Sequence, residues 1–227
     1  MIIDSKKYNG LCSCGKEHKM TTEACFIERG VLLKINTYLE QYDLRGYSVA
    51  IYDENTYRAT SGMHPNVTKE IILDPQNLHA DNHGVELAME QIPEACDYLI
   101  AVGSGTVHDI TRYCAYTKGI PFVSCPTAAS VDGFCSSVAA MTWEGFKKTF
   151  TAVAPKIVVA DLNVISKAPM FLTKSGFGDM IGKFIALADW KIAHTLTGEY
   201  FCPIIHDITL NATQAVIESA ESIKNGD

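Results

Sequence analysis

A glycine-rich turn joins an apolar run to a segment with helical spacing near the middle of the chain. The run Tyr98–Val102 is followed by Gly103, Ser104 and Gly105, and the helical segment begins at Thr106. Backbone N–H groups at such a turn, together with the dipole of the following helix, attract an anion. The pattern favours a phosphate-binding turn, although a plain tight turn between a strand and a helix has the same residues.

A second run of small and hydroxylated residues follows the next predicted strand. It reads Pro126-Thr-Ala-Ala-Ser-Val-Asp-Gly-Phe-Cys-Ser-Ser137. Thr127, Ser130 and Ser136 offer hydrogen-bond partners, and Asp132 is the only carboxylate of the run. In an open parallel sheet, ligands bind at the carboxyl ends of the strands. Two neighbouring strand ends of this kind favour a dinucleotide site.

The elements that must position these turns alternate between strands and helices. Periodicity predicts strands at 23–33, 47–52, 69–73, 98–102, 121–125 and 157–161, helices at 32–42, 83–92, 178–196 and 207–223, and a hairpin at 143–156. This order predicts an α/β fold, a Rossmann-like parallel sheet with helices on both faces. We expect residues 1–162 to form a nucleotide-binding domain and residues 163–227 to begin a helical domain.

Composition and charge argue against several classes of protein. The net charge of −7 disfavours a nucleic-acid binder, which needs a basic face. No apolar run approaches the ~20 residues of a membrane span. The first residues lack the apolar core of a signal peptide, so we expect a cytoplasmic protein whose eight cysteines are free thiols.

Three motifs occur in a fixed order along the chain. They are Gly103-Ser-Gly-Thr-x-x-Asp109, Pro126-Thr-Ala-Ala-Ser-Val-Asp-Gly-Phe134 and Ser175-Gly-Phe-Gly-Asp-Met-Ile-Gly-Lys-Phe-x-Ala-Leu-Ala-Asp-Trp190. Together they resemble the sn-glycerol-1-phosphate dehydrogenases of the iron-containing alcohol dehydrogenase and glycerol dehydrogenase superfamily. The resemblance runs from about Cys12 to the last residue. It implies a dehydroquinate synthase-like fold and a metal-dependent, NAD(P)H-linked reduction of dihydroxyacetone phosphate to sn-glycerol 1-phosphate. We also expect a homo-oligomer.

The resemblance implies NAD(H) or NADP(H) as cofactor. It assigns the pyrophosphate to the turn 103–106, and further contacts to Asp53, Asp109, Thr127, Ser130 and Ser136. Asp53 ends a predicted strand, where a carboxylate accepts hydrogen bonds from a ribose, and an acidic residue there favours NAD over NADP. From the residues alone, Asp53 fits a helix N-cap equally well, and Asp109 fits a carboxylate that complements the helix dipole.

The resemblance also assigns the metal and the catalytic residues. Asp179 matches the carboxylate metal ligand, and Asp132 and Lys183 match residues beside the substrate and nicotinamide. A divalent ion, whether zinc, nickel or iron, would polarise the ketone oxygen as a Lewis acid. Without the motif, the spacing of Asp179 and Lys183 fits an intrahelical ion pair, and Asp132 fits an Asx turn.

The family's two remaining metal ligands are histidines farther along the sequence. Only His194 and His206 follow Asp179 in this chain. His194 lies about four helical turns beyond Asp179, too far to share a metal with it, and His206 is either a substitute ligand or a surface histidine. We therefore expect an incomplete metal site and a helical domain that is only begun, with an apolar helix face exposed past Pro203.

Two other functions fit the same residues. One is a nucleotide-binding fragment or pseudoenzyme without turnover, which metal content and activity would separate from an enzyme. The other is a dehydrogenase of glycerol or another polyol, which comparison of phosphorylated and free substrates would identify.

An amino-terminal motif, Cys12-Ser-Cys14-Gly-x-x-His18, contains residue types that bind zinc. Zinc motifs usually space their paired cysteines more widely and carry a second pair of ligands. The close spacing and the lack of an adjacent second pair favour an ordinary structural segment.

Overall fold

The computed structural model describes residues 1–225, in which strands and helices alternate up to residue 165 and helices follow alone. The strands are β1 (Ile2–Asp4), β2 (Gly10–Leu11), β3 (Glu17–His18), β4 (Ala24–Glu28), β5 (Ser48–Asp53), β6 (Lys69–Leu73), β7 (Tyr98–Gly103), β8 (Phe122–Pro126), β9 (Val138–Trp143), β10 (Phe146–Thr151) and β11 (Ile157–Asp161). The helices are α1 (Ile35–Gln41), α2 (Glu54–Ala59), α3 (Asn82–Met89), α4 (Gly105–Lys118), α5 (Leu162–Ile165), α6 (Met170–Thr197), α7 (Pro203–Glu218) and α8 (Ala220–Asn225).

Seven strands form one sheet in the order β1-β4-β11-β8-β7-β5-β6. All neighbouring strands in it run parallel except β1, which is antiparallel to β4. Strands β7, β8 and β11 are buried along their whole length. Parallel strands covered on both faces consist of continuous apolar runs, which is why the sequence pattern located them. The predicted Rossmann-like α/β fold is confirmed.

The strand order reverses between β5 and β7. The connection through α2 leads from β5 to β6 on one side, whereas the connection through α4 leads from β7 to β8 on the other. A reversal of this kind leaves a crevice at the carboxyl ends of the two central strands. Asp53 ends β5 and Gly103 ends β7, so both lie at the edge of the sheet where this crevice opens.

Alternate residues of the central strands pack on opposite faces of the sheet. Ala50 and Tyr52 belong to the core on the face covered by α1, whereas Val49 and Ile51 belong to the core on the face covered by α3 and α4. Helix α4 contributes fully buried side chains at helical spacing to this second core, namely Val107, Ile110, Cys114 and Ala115. Two layers of packing therefore fix the start of α4 relative to the ends of β7 and β8.

The predicted hairpin exists, but its predicted start at residue 143 is wrong. The hairpin runs through β9 and β10, and Trp143 is the last residue of its first strand rather than the first. Its turn contains Glu144 and Gly145, both with positive φ. The strand was missed because Ala139 and Met141, buried against the core, alternate with small residues instead of charged ones.

Helix α6 begins eight residues before the predicted position. Its first turns contain Gly176 and Gly178, and glycine disfavours helix interiors. A Cβ at Gly176 would overlap the carbonyl oxygen of Ala129. Gly176 therefore allows α6 to pack directly against the loop that follows β8.

The predicted last helix consists of two helices, α7 and α8. Helix α7 begins four residues before the predicted position and has proline as its first residue. Large apolar side chains on α6 and α7 are exposed, among them Ile185, Leu196 and Ile208. Although α6 has the length of a membrane span, neither it nor any other helix of residues 1–225 is apolar enough to cross a bilayer. The predicted domain boundary at 162/163 falls within α5 and stays a prediction.

Candidate functional site

A cavity of about 600 Å³ opens at the carboxyl ends of the central strands. Four parts of the chain surround it: the first turn of α4, the loop after β8, the segment before α3 together with the β9–β10 hairpin, and the start of α6. The lining residues are His79, Ala80, Asp81, Ser104, Gly105, Thr106, Asp109, Ser130, Val131, Ala140, Thr142, Lys147, Leu172 and Ser175. Five of the predicted cofactor residues are thus brought together.

The amino terminus of α4 faces this cavity with free donors. Ser104 is the N-cap residue, and its side chain makes no capping hydrogen bond. The first N–H groups of a helix have no partner within the helix, so those of Gly105 and Thr106 are available to a ligand. Their partial positive charge suits an anion such as a phosphate.

The two glycines of the turn have different tasks. A Cβ at Gly103 would lie 2.5 Å from Cβ of Val107, inside the packing between β7 and α4. A side chain at Gly103 would therefore strike the core. A Cβ at Gly105 would lie 3.4 Å from Cγ1 of Val131, and both residues line the cavity. Gly105 is the glycine that keeps the cavity open.

A buried ion pair lies beneath the same turn. Arg112, only 1% exposed, pairs with Asp109 and donates to the carbonyl oxygens of Gly133 at 2.7 Å and Val138 at 3.3 Å. Burial raises the pKa of Asp109 to about 6, although the Arg112 guanidinium opposes the shift. Arg112 thereby ties α4 to the loop after β8 and to the start of β9.

His108, on the buried side of the first turn of α4, is held as a neutral imidazole. Its Nδ1 lies 2.9 Å from the carbonyl oxygen of Ser104, and its Nε2 lies 2.8 Å from Oγ of Ser124. Because a carbonyl only accepts, Nδ1 carries the proton and Nε2 accepts from the Ser124 hydroxyl. Burial lowers the pKa of His108 to about 3.

Replacing His108 with glutamine is expected to flatten the acid dependence of stability. The unfolded chain binds a proton at His108 near pH 6.5, whereas the folded protein resists protonation down to about pH 3. The parent should therefore lose about 2–3 kcal/mol from this group between pH 6.5 and about pH 4.5. Urea unfolding at several pH values measures the difference between parent and variant.

The comparison with the parent is necessary because Asp109 acts in the opposite direction. Its folded-state pKa is raised above its usual 3.8, so it favours the folded state as the pH falls through about 6. This contribution is common to both proteins and cancels in the difference. Parallel stability curves for His108→Gln and the parent would contradict the prediction.

Asp132, Asp179 and Lys183 meet beside the cavity. Lys183 Nζ lies 2.5 Å from Oδ2 of Asp132, and Oδ2 of Asp179 accepts a hydrogen bond of 2.9 Å from the backbone N–H of Asp132. The alternative of an intrahelical pair between Asp179 and Lys183 is therefore wrong, since both side chains reach the loop after β8. Close packing of α6 at Gly176 makes this possible.

The surroundings of Asp179 in residues 1–225 supply fewer than the three converging ligands of a catalytic metal. No group of three or more His, Cys, Asp or Glu side chains with converging ligand atoms includes Asp179 in this part of the chain. His194 Nδ1 lies 2.6 Å from the carbonyl oxygen of Glu199, and His206 Nδ1 lies 2.9 Å from Oδ1 of Asp207. These residues alone do not fit a catalytic metal, which takes about three protein ligands.

Four predicted cofactor residues, namely Asp53, Gly103, Thr127 and Ser136, lie outside the lining of the cavity. Asp53 caps α2, because its Oδ1 accepts from Thr56 N–H at 2.8 Å in a capping box. Thr127 is buried, and its N–H donates to the carbonyl oxygen of Gly103. Ser136 Oγ bonds to the backbone of Val138 at the start of β9. Their roles toward a cofactor stay predictions.

The opposite wall of the cavity was not predicted from the sequence. Lys147 and Thr142 reach it from the hairpin, whose register the periodicity did not define. Asp81 caps α3 by accepting from Gly84 N–H at 2.8 Å, and it lines the cavity as well. The N-cap pattern of Asp81 was the one available signal, and it indicates a helix start rather than a site.

Comparison with known proteins agrees with this geometry. The family model of the iron-containing alcohol dehydrogenases matches residues 26–169. A glycerol-1-phosphate dehydrogenase [NAD(P)+] of Bacillus licheniformis is 36% identical over 234 residues, and that of Pyrococcus furiosus is 42% identical over 130 residues. The first alignment covers 98% of this chain and 58% of the relative, and the second covers 57% and 38%.

Solved structures share the fold at low identity. Glycerol dehydrogenase from Schizosaccharomyces pombe has a TM-score of 0.59 at 22% identity, covering 71% of this chain and 42% of that one. Maleylacetate reductase from Agrobacterium tumefaciens has a TM-score of 0.72 at 14% identity, covering 88% and 56%. The chain spans about 58% of the length of the Bacillus licheniformis relative. Since the family model covers more than half of the sequence, the chain belongs to the iron-containing alcohol dehydrogenase family.

Proposed function

We propose that this chain supplies the nucleotide-binding part of an NAD(P)H-linked dehydrogenase that reduces dihydroxyacetone phosphate to sn-glycerol 1-phosphate. The observation that carries the proposal is the uncapped amino terminus of α4, which opens into a cavity next to the Asp132–Lys183 pair. The relatives from Bacillus licheniformis and Pyrococcus furiosus carry the name of this activity.

In this proposal the dinucleotide pyrophosphate lies against the first N–H groups of α4. Ser104 and Thr106 add hydroxyls, and Lys147 adds a positive charge from the opposite wall. The cavity is large enough for part of a dinucleotide, since small-molecule sites measure about 300–1,000 Å³. The remainder of the cofactor would extend along the carboxyl ends of β5 and β7, toward Asp53.

The reduction transfers a hydride to the ketone carbon and a proton to the ketone oxygen. Lys183 can donate that proton, because its ammonium is held against Asp132 at the edge of the cleft. Asp179 fixes the loop by accepting from the Asp132 N–H. The family implies a divalent metal, but residues 1–225 bring fewer than three converging ligands to Asp179, so we assign no step to it.

Replacing Lys147 with alanine is expected to weaken NADH and NADPH binding by about three- to tenfold. A point charge near a phosphate at an exposed site contributes about 1 kcal/mol. Lys148 is the matched control, because successive strand residues point to opposite faces and Lys148 does not line the cavity. Calorimetric titration of both variants measures the difference. Equal affinities for Lys147→Ala and Lys148→Ala would remove Lys147 from the site.

Turnover in the whole protein that carries this chain tests the activity itself. Oxidation of NADH with dihydroxyacetone phosphate, but not with free dihydroxyacetone, is the expected result. Preference for the free triose or for glycerol in the reverse direction would indicate a polyol dehydrogenase. Binding of NADH without any turnover would indicate a nucleotide-binding protein that has lost the reaction.

Assembly and location belong to the same proposal. We expect a cytoplasmic homo-oligomer, as suits a metabolic dehydrogenase, and the exposed Ile185, Leu196 and Ile208 give it apolar surface to cover. The net charge of −7 supports a small-molecule substrate over a nucleic acid. Sedimentation velocity measures the oligomeric state.

A further inference from the structure

Four side chains with metal-binding atoms converge where the amino-terminal hairpin meets the helices. Cys12 and Cys14 lie in the turn between β2 and β3, His18 ends β3, and Cys202 directly precedes α7. Their ligand atoms all lie within 4.8 Å of one another. In the part of the chain that the structure describes, no other group of His, Cys, Asp and Glu converges in this way.

The distances between these atoms match the edges of a zinc tetrahedron. Sγ of Cys12 and Sγ of Cys202 are 3.7 Å apart, and Nε2 of His18 lies 3.4 Å from Sγ of Cys14 and 3.6 Å from Sγ of Cys202. Bond lengths of about 2.3 Å to sulfur and about 2.05 Å to nitrogen give tetrahedral edges of about 3.75 Å and about 3.6 Å. These three of the six distances fit a zinc centre, and the other three are at most 4.8 Å.

The turn between β2 and β3 is built to present two thiols on one side. Gly15 has φ 84, and its N–H donates to the carbonyl oxygen of Cys12 at 2.9 Å. The N–H of Cys12 donates to the carbonyl oxygen of Lys16, which closes the turn. This left-handed glycine brings the sulfurs of a Cys-x-Cys pair close together, so the short spacing is compatible with a shared ion.

The segment before α7 brings the remaining cysteine into the cluster. Trp190 Nε1 donates to the carbonyl oxygen of Tyr200 at 2.7 Å, and this bond fixes the connection between α6 and α7. The Tyr200 hydroxyl lies 3.1 Å from Sγ of Cys14, within hydrogen-bond distance of that thiol. Hydrogen bonds from outside a ligand set orient the ligands of a metal. Cys202 itself is fully buried.

We propose that Cys12, Cys14, His18 and Cys202 hold a structural zinc ion. Three thiolates and an imidazole form a closed set of four, which is the arrangement of structural rather than catalytic zinc. Soft sulfur ligands select zinc over magnesium or calcium. The ammonium of Lys16, 3.9 Å from the centre of the Tyr200 ring, places a positive charge beside the thiolates. This proposal replaces the expectation of an ordinary structural segment at Cys12–His18.

The site joins parts of the fold that are far apart in sequence. His18 and Cys202 are 184 residues apart, and the ion would connect the β2–β3 hairpin to the end of the connection between α6 and α7. Helix α6 carries Asp179 and Lys183, so the zinc fixes the far end of the helix that borders the cleft. Removal of the ion should therefore loosen the α6–α7 junction and lower the melting temperature.

A disulfide between Cys12 and Cys202 is the competing chemistry. The sulfurs are 3.7 Å apart, whereas a disulfide bond is about 2.05 Å long. Mass spectrometry of the protein alkylated under denaturing conditions distinguishes three free thiols, at Cys12, Cys14 and Cys202, from a bonded Cys12–Cys202 pair. A Cys12–Cys202 disulfide with no bound zinc in protein purified under reducing conditions would overturn the proposal.

The test measures zinc per chain and the ligands of the bound ion. The parent is expected to hold one zinc that Cys202→Ser and His18→Ala lose. The control Cys135→Ser, which removes a thiol of the separate Cys25–Cys135 pair 3.8 Å apart, should keep it. His18→Cys should also keep the ion, because four thiolates bind zinc equally well.

Cobalt substitution separates this ion from any metal held by Asp179. Cobalt bound to thiolates absorbs strongly by charge transfer from sulfur, and oxygen or nitrogen ligands do not produce that band. We expect the band in the parent and in Asp179→Asn, and its loss in Cys202→Ser. A parent protein that binds neither zinc nor cobalt through sulfur would overturn the proposal, as would a Cys202→Ser variant with unchanged zinc content.

Discussion

Leucine in place of Gly105 is expected to weaken NADH binding by at least about 100-fold, which corresponds to about 2.8 kcal/mol. The new side chain would start 3.4 Å from Val131 and fill the space in front of the first N–H groups of α4. The backbone of Gly105 lies outside the left-handed region, so the helix accepts a side chain there. Calorimetric titration with NADH measures the loss of affinity.

Two further variants show whether the effect is local. Thr117→Leu places the same side chain at an exposed position of α4, far from the cavity, and should leave the affinity unchanged. Gly103→Ala should instead lower stability, because its methyl group would strike Val107. Parental NADH affinity in Gly105→Leu would mean that this turn does not hold the nucleotide.

The central strands were predicted well because they are buried on both faces. The bounds of β11 agree with the sequence pattern to the residue, as do those of the half-exposed edge strand β6. Strand β7 is fully buried, so its apolar run is uninterrupted, and the glycines that follow mark its end. In such strands the apolar composition of the segment reflects its burial on both faces. The sequence pattern is therefore sufficient to locate the strand.

The contacts that close the site depend on tertiary approach and could not be predicted in the same way. The Lys183–Asp132 pair requires α6 to lie on the loop after β8, and the sequence shows only a glycine at 176. Cys202 joins the Cys12–His18 motif from 184 residues away. Helical periodicity and motif spacing relate residues that are close in sequence. Neither predicts a contact between residues 184 positions apart.

Replacing Arg112 with methionine is expected to lower the free energy of unfolding by about 3–5 kcal/mol. The guanidinium is buried and joins Asp109 to the carbonyl oxygens of Gly133 and Val138. Methionine fills similar volume but leaves a buried carboxylate and two carbonyls without this donor, which is the costly way to break a buried pair. Urea unfolding measures the loss. Arg58→Met, at an exposed position of α2, is the matched control and should change stability by less than about 0.5 kcal/mol.

The Arg112→Met loss should grow as the pH rises. Burial already raises the pKa of Asp109 to about 6, and removal of the neighbouring cation raises it further. Below about pH 6 the Asp109 carboxyl of the variant is protonated, and the variant recovers part of its stability. At pH 8 the same carboxyl must either ionise without a partner or stay protonated, and both cost folding free energy. Asp109→Asn added to Arg112→Met removes this pH dependence, because the amide does not titrate. A loss that is independent of pH, or smaller than about 1 kcal/mol, would show that the pair does not fasten α4 to the loop.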